Sequence, residues 1–188
     1  MPKPYRLETD RLLLRRPMKK DIPAMVKWLS NPNISKNTLT IPHPYFKSDA
    51  EHWLQKVWKG WEDKTDYVFG ITLLKNQEYI GAMGLHANAE HNRAEVGYWI
   101  GEPYWNKGYA TEALKAVLEF GFDVLEYHKI YATHMVHNPS SGKVMAKAGM
   151  IREGKLVDHY KKGDRYLSIV QYRLTQKEYQ HLLIHPAR

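Results

Sequence analysis

The chain of 188 residues contains no cysteine. That excludes disulfides, thiolate metal sites and any cysteine acyl-enzyme, so group transfer here must be direct or use another nucleophile. No apolar run approaches the 18 or so residues that a membrane span needs. The opening Met1-Pro2-Lys3-Pro4-Tyr5 lacks the apolar core of a secretory leader, and a cytoplasmic protein is the expectation. No run of Lys and Arg exceeds two residues, and no RNA-binding or helix-turn-helix pattern stands out. Nucleic acid is therefore not expected as a substrate, despite a formal net charge of +8. Repeats, linkers and low-complexity segments are also missing, which leaves one domain over residues 1–188.

What is present is organised around residues 94–113. Ala94 to Ile100 is apolar and aromatic and reads as a strand, ended by Gly101 and Pro103. A loop centred on Gly108 follows. A long helix is expected from about Thr111 to Leu125, with Ala113, Leu114, Val117 and Leu118 on its buried face. The first turn of a helix carries N–H groups with no internal partner, and the helix dipole favours an anion there. Gly108 lets the main chain approach an oxygen closely, Ala110 keeps the next approach small, and Lys107 and Thr111 add a cation and a hydroxyl. The loop is neither a P-loop nor a dinucleotide fingerprint, since no Gly-Lys-Ser/Thr ending and no glycine triplet is present. An ordinary strand–turn–helix connection fits the same residues.

The rest of the chain supplies short elements. Arg11 to Arg15 reads as a strand, and Asp21 as the cap of a helix over Ile22 to Leu29. Ser48-x-x-Glu51 reads as a capping box for a helix to about Trp61. Asp66 to Leu74 and Tyr79 to Leu85 read as a hairpin, Lys129 to Met135 as a strand, and Pro139 to Ala148 as a short helix closed by Gly149. Met150 to His159 and Arg165 to Leu174 read as a last hairpin, and Thr175-x-x-Glu178 caps a terminal helix. This order predicts an α+β fold with a mixed central sheet flanked by helices, and a strand-helix-strand unit that makes two central strands parallel.

Glu95 to Ile100, with Trp105 to Ala113, resembles the acetyl-CoA signature of GNAT N-acetyltransferases, closest to the Rim-type ribosomal-protein N-terminal branch. Gly108 and Ala110 match the signature, and Trp105 stands at its Gln/Arg position. Thr9-Asp10-Arg11-Leu12 resembles the branch's opening strand. Asn138 to Ser141, Lys147 to Met150 and Glu153-Gly154 resemble its second block. The resemblance implies a single-domain GNAT-like fold with a splay between the parallel strands 94–100 and 129–135. It implies acetyl-CoA as co-substrate and transfer of an acetyl group to a primary amine. The cofactor pyrophosphate would lie on the N–H groups of Asn106, Lys107, Gly108, Tyr109, Ala110 and Thr111. The amide arm would pair with the edge Tyr98-Trp99-Ile100 and with the amide of Asn138, which reads equally as a helix cap.

For catalysis, Glu95 is a carboxylate inside an otherwise apolar strand, where burial would make it more basic; a salt bridge to Arg93 is the competing reading. Many GNAT enzymes carry a tyrosine proton donor at the position of Met145 and a second glutamate at that of Thr133, so both groups are missing. The Rim-type branch has a serine at Ser141, which by resemblance would assist the leaving thiolate; a solvated hydroxyl at the helix start is the alternative. His86 and His134 are reserve bases. His181 with His185, and His134 with His137, lack an evident third ligand, so no metal is expected.

The acceptor expected from the branch is a protein or peptide N-terminal α-amine. Small amines such as polyamines, aminoglycosides or other antibiotics stay open. So do a non-catalytic acyl-CoA-binding module and a protein that binds RNA or the ribosome through its basic surface. No membrane partner is expected, nucleic acid enters only through a ribosomal partner, and a homodimer is left open.

Overall fold

A computed structural model describes residues 5–185; Met1 to Pro4, on which part of the leader argument rests, lie outside them. Eight strands form one sheet: β1 Arg6–Glu8, β2 Leu12–Arg15, β3 Asp66–Leu73, β4 Tyr79–Asn88, β5 Arg93–Ile100, β6 Lys129–Met135, β7 Ile151–Lys162 and β8 Arg165–Thr175. Six helices accompany them: α1 Ile22–Leu29, α2 Pro32–Lys36, α3 Lys47–Asp63, α4 Tyr109–Glu119, α5 Pro139–Lys147 and α6 Gln176–Ile184. The strand order is β1-β2-β3-β4-β5-β6-β8-β7. All neighbours are antiparallel except β5 and β6, which α4 connects.

Two apolar clusters cover the two faces. Phe69, Ile71, Leu85, Val96 and Ile130 pack under Leu114 and Val117 of α4 and Met145 of α5. Val68, Ala82 and Trp99 face the other way, against Met25 and Leu29 of α1 and Leu54 and Val57 of α3. The period-2 alternation of the strands sorts residues between these faces, so Ala94 and Val96 lie under α4 while Glu95 and Trp99 look toward α1 and α3.

Several local expectations shift. β1 was not expected. The helix over Ile22–Leu29 forms as read, but the Asp21 carboxylate does not cap it. It accepts from both terminal nitrogens of Arg15, each at 2.8 Å, and from the Met18 N–H at 2.8 Å. A buried arginine needs a partner more than a helix end does, because solvent cannot replace that partner. α3 starts one residue before Ser48, and its first turn is closed by Asp49 accepting from the Phe46 N–H at 2.7 Å, in place of the Ser48–Glu51 box. The Thr175–Glu178 box forms as read. α4 begins at Tyr109, before the expected Thr111, and is followed by a wider π turn over Phe120–Val124.

Candidate active site

The site begins where the sheet comes apart. β5 and β6 pair only over Arg93–Glu95 and Lys129–Tyr131. Beyond Glu95 and Tyr131 the two strands diverge, as the expected splay requires. β4 holds β5 along its whole length, and β8 does the same for β6, so both stay extended although they part from each other.

One edge of this gap can be assigned atom by atom. The Gly101 N–H donates to the Ile80 carbonyl at 2.8 Å. In an antiparallel ladder alternate residues face the same partner, so the main chains of Trp99 and Gly97 turn to β4. Those of Tyr98 and Ile100 turn to the gap. The Ile100 carbonyl is occupied by the Trp105 indole N–H at 2.6 Å. Tyr98 and Ile100 thus present their N–H groups to the gap. Trp99 contributes its buried ring to the opposite face.

The loop before α4 ends on a helix start that no side chain caps. Gly108 is the N-cap, at φ +82°, with no side chain to satisfy the first turn; Asn106 is also left-handed, at φ +60°. The first helical bond runs from the Glu112 N–H to the Gly108 carbonyl at 3.0 Å, which leaves the N–H groups of Tyr109, Ala110 and Thr111 without helical partners. A brace holds the loop. Arg11 donates to the Lys107 carbonyl at 3.0 Å and to Glu112 at 2.7 Å, and its guanidinium lies 4.6 Å from the Tyr109 ring centre. Burial pushes the Glu112 carboxyl up, but hydrogen bonds from Thr9 and Arg11 outweigh it and hold the group below the usual glutamate value. Arg11 and Glu112 were not singled out from the sequence, since a brace between residues so far apart leaves no local periodicity.

At the mouth of the gap, Glu95 is half-buried and accepts from the Thr133 hydroxyl at 3.1 Å. Burial first, and the nearby Glu95 charge second, raise the Tyr160 hydroxyl above the ordinary tyrosine value; the same two causes lead for Tyr131. Strand parity foretells part of this grouping. Glu95, Tyr131 and Thr133 share a face because β5 and β6 run parallel in that register. His86 sits opposite Glu95 in the β4–β5 register, and its Nδ1 lies 2.5 Å from an Asp66 oxygen. His134 is turned to the other face, against Gly142 of α5, with Nδ1 2.9 Å from the Met135 carbonyl. Glu95, Thr133, Tyr160, His86 and Trp99 line a groove of about 650 Å³, walled by α1, α3 and the segment 37–42.

On the far face, Asn138 stands at the N-cap of α5 but makes no side-chain capping bond. Ser141 follows in the first turn, and the Tyr98 hydroxyl lies 2.6 Å from its Oγ. Met145, at the position where many GNAT enzymes carry a tyrosine, is 1 % exposed and points into the core. Among the described residues no group of three His, Asp or Glu side chains is placed to hold a metal, and no helix is long and apolar enough to cross a membrane.

Known proteins are similar to this chain in sequence and fold. The acetyltransferase (GNAT) domain family matches residues 11–151. The uncharacterized N-acetyltransferase YnaD of Bacillus subtilis is 33% identical over 174 residues, covering 92% of this chain and 98% of that protein. The putative ribosomal N-acetyltransferase YdaF of the same organism is 28% identical over 136 residues, covering 71% and 74%. A solved structure of spermidine N-acetyltransferase from Vibrio cholerae, in complex with CoA and spermine, superposes with a TM-score of 0.77 at 25% identity, covering 92% of this chain and 99% of that one. The matched span runs from the edge of β2 to the start of β7 and takes in the loop, both strands of the gap and all of the groove lining except Tyr160 and Ile169, and on that ground the chain belongs to the GNAT family of N-acetyltransferases.

Proposed function

We propose that this protein moves an acetyl group from acetyl-CoA directly to the α-amine of a protein or peptide N-terminus. The observation that carries the reading is the gap between β5 and β6, which has Glu95 at its groove side and Ser141 at its far side. The residues fit the donor substrate. The uncapped first turn at Asn106 to Thr111 suits a pyrophosphate, with Lys107 adding a cation. The N–H groups of Tyr98 and Ile100, and the uncommitted Asn138 amide, suit a chain of amides. Trp99, on the same strand, serves through its ring as a groove wall.

Acetyl-CoA supplies an activated acyl group as a thioester. Glu95 takes the proton of the attacking amine, with Thr133 holding the carboxylate in place. Ser141 donates a hydrogen bond to the sulfur as negative charge develops there. Asp66 orients His86 beside Glu95 and makes it the reserve base.

Groove chemistry separates the acceptors. A polyamine carries several cations, each needing a partner when desolvated. The groove lining has two carboxylates, Asp49 and Glu95, and Asp49 is engaged by the Phe46 N–H. Lys56 adds positive charge, while Leu29, Ile41, Trp53 and Trp99 are apolar. One amine on an apolar body fits this better than a polycation. An α-amine, with a pKa of about 7.7–8.0, also asks less of a single carboxylate base than a lysine-like amine near ~10.4. The test follows thiol release from acetyl-CoA with peptides, polyamines and aminoglycosides as acceptors. Peptides are expected to exceed spermidine in kcat/KM by at least about tenfold. The reverse ranking would replace the acceptor, and CoA binding without turnover on any amine would leave an acyl-CoA-binding module.

A further inference from the structure

We infer that Tyr98 is a positioning residue for the leaving group, acting through Ser141. This rests on the reading that Ser141 assists the departing thiolate, and it adds a residue from a different strand. β5 places the Tyr98 side chain on the face of α4 and α5. Its hydroxyl reaches the first turn of α5, 2.6 Å from Ser141 Oγ and 3.1 Å from the Ser141 carbonyl oxygen.

A phenol has one proton for these two acceptors. If the proton goes to the carbonyl, the serine hydroxyl is left to donate to the phenol oxygen and has nothing for the gap. If it goes to Oγ, the serine proton is released and can point elsewhere. A sulfur gaining negative charge in the gap selects the second arrangement, because only that one offers it a donor. Tyr98 thereby turns an exchangeable serine rotor into a directed one. Burial, only partly offset by the Ser141 hydrogen bond, pushes the phenol up to about 12, so it keeps its proton throughout the neutral range. The balance is complete without a proton from Tyr98. The C–N bond forms, the C–S bond breaks with its electrons going to sulfur, the amine proton goes to Glu95, and both hydroxyls keep their protons.

The position of Met145 explains why the phenol comes from β5. That side chain is 1 % exposed and belongs to the core cluster that includes Leu114 and Ala148. Tyr98 approaches the same helix from the opposite wall.

The experiment is a double-mutant cycle of Tyr98→Phe and Ser141→Ala, reading kcat under saturating substrates and the acetyl-CoA Kd by calorimetry. Thermal unfolding confirms that each variant is folded. Ser141→Ala alone decides the reading beneath the inference: a loss of roughly 10²-fold in kcat supports it, and a change within about twofold removes both. With Ser141 present, Tyr98→Phe is expected to lower kcat by about tenfold or more and leave the Kd unchanged. In the Ser141→Ala background the same change is expected to have no further effect, within about twofold. Equal losses in both backgrounds would show that Tyr98 does not act through Ser141. A weakened Kd at unchanged kcat would make Tyr98 a donor-binding residue, and no effect in either background would make the hydrogen bond catalytically idle. Each of those three results overturns the inference while leaving the role of Ser141 standing.

Discussion

The Thr133 hydroxyl on β6 donates to the Glu95 carboxylate on β5 at 3.1 Å, across the point where the two strands separate. The residue that stands where many relatives have a second carboxylate thus serves the first one. Glu95→Gln retains the shape and removes the base. Its kcat/KM is expected to fall by roughly 10²-fold at pH 7. The deficit should shrink above about pH 8, where the acceptor α-amine is already neutral. A pH–rate series with both enzymes checks this. An unchanged profile would pass the role to His86, the reserve that Asp66 orients in the same groove.

Gly108 is at φ +82°, and a Cβ there would lie 3.2 Å from an Arg11 terminal nitrogen. Gly108→Val therefore strains the main chain and crowds the brace. A non-glycine residue in this conformation costs the fold about 1–2 kcal/mol, more when β-branched, and the displaced loop is expected to bind acetyl-CoA about tenfold more weakly, a difference of about 1.4 kcal/mol. Calorimetry on the folded variant measures it. Full affinity would show that the loop does not hold the donor.

Glu112 links the brace to acid stability. Its carboxyl is held below the usual value on folding, since hydrogen bonds from Thr9 and Arg11 outweigh burial. A group depressed in this way stabilises the fold above its unfolded pKa, about 4.3 for a glutamate, and the contribution is lost as pH falls through the folded value. Glu112→Gln is expected to lower Tm at neutral pH, by an amount that shrinks as pH falls below the unfolded glutamate value. Unfolding curves across pH 2.5–7 read the difference between the two enzymes.

Asp21 is 4 % exposed and is paired with Arg15 through both terminal nitrogens. Asp21→Ala leaves a buried guanidinium uncompensated and is expected to cost about 3–5 kcal/mol. Equilibrium denaturation checks the figure. A loss below about 1 kcal/mol would show that the buried pair contributes little to the fold.

Elements whose determinants are local were legible. β6 and the Thr175–Glu178 box lie where side-chain period and cap residues put them, α1 keeps its expected bounds without the expected cap, and Gly149, at φ +92°, ends α5 as a glycine after a helix should. β1 escaped because three residues on a sheet edge carry too little alternation. The start of α3 moved because two acidic residues, Asp49 and Glu51, compete within one turn, and only the packed structure selects between them. In the site, the motif located the loop and Glu95, while strand parity governs which peptide groups open to the gap. That parity turns Trp99 away from it. The Arg11 brace and the reach of Tyr98 to Ser141 depend on how distant elements pack, which no local pattern records.

The parting of β5 from β6 makes one strand behave as two kinds of backbone. Along β5, the amides of Gly97 and Trp99 are locked into the ladder with β4, while those of Tyr98 and Ile100 have lost their neighbour on the other side. Deuterium exchange along this strand should alternate between slow and fast with a two-residue beat, beginning just past Glu95. The same beat marks the peptide groups with which an amide-bearing ligand would pair. A molecule that docked only at the helix end would leave the beat intact, whereas one threaded through the sheet would silence it.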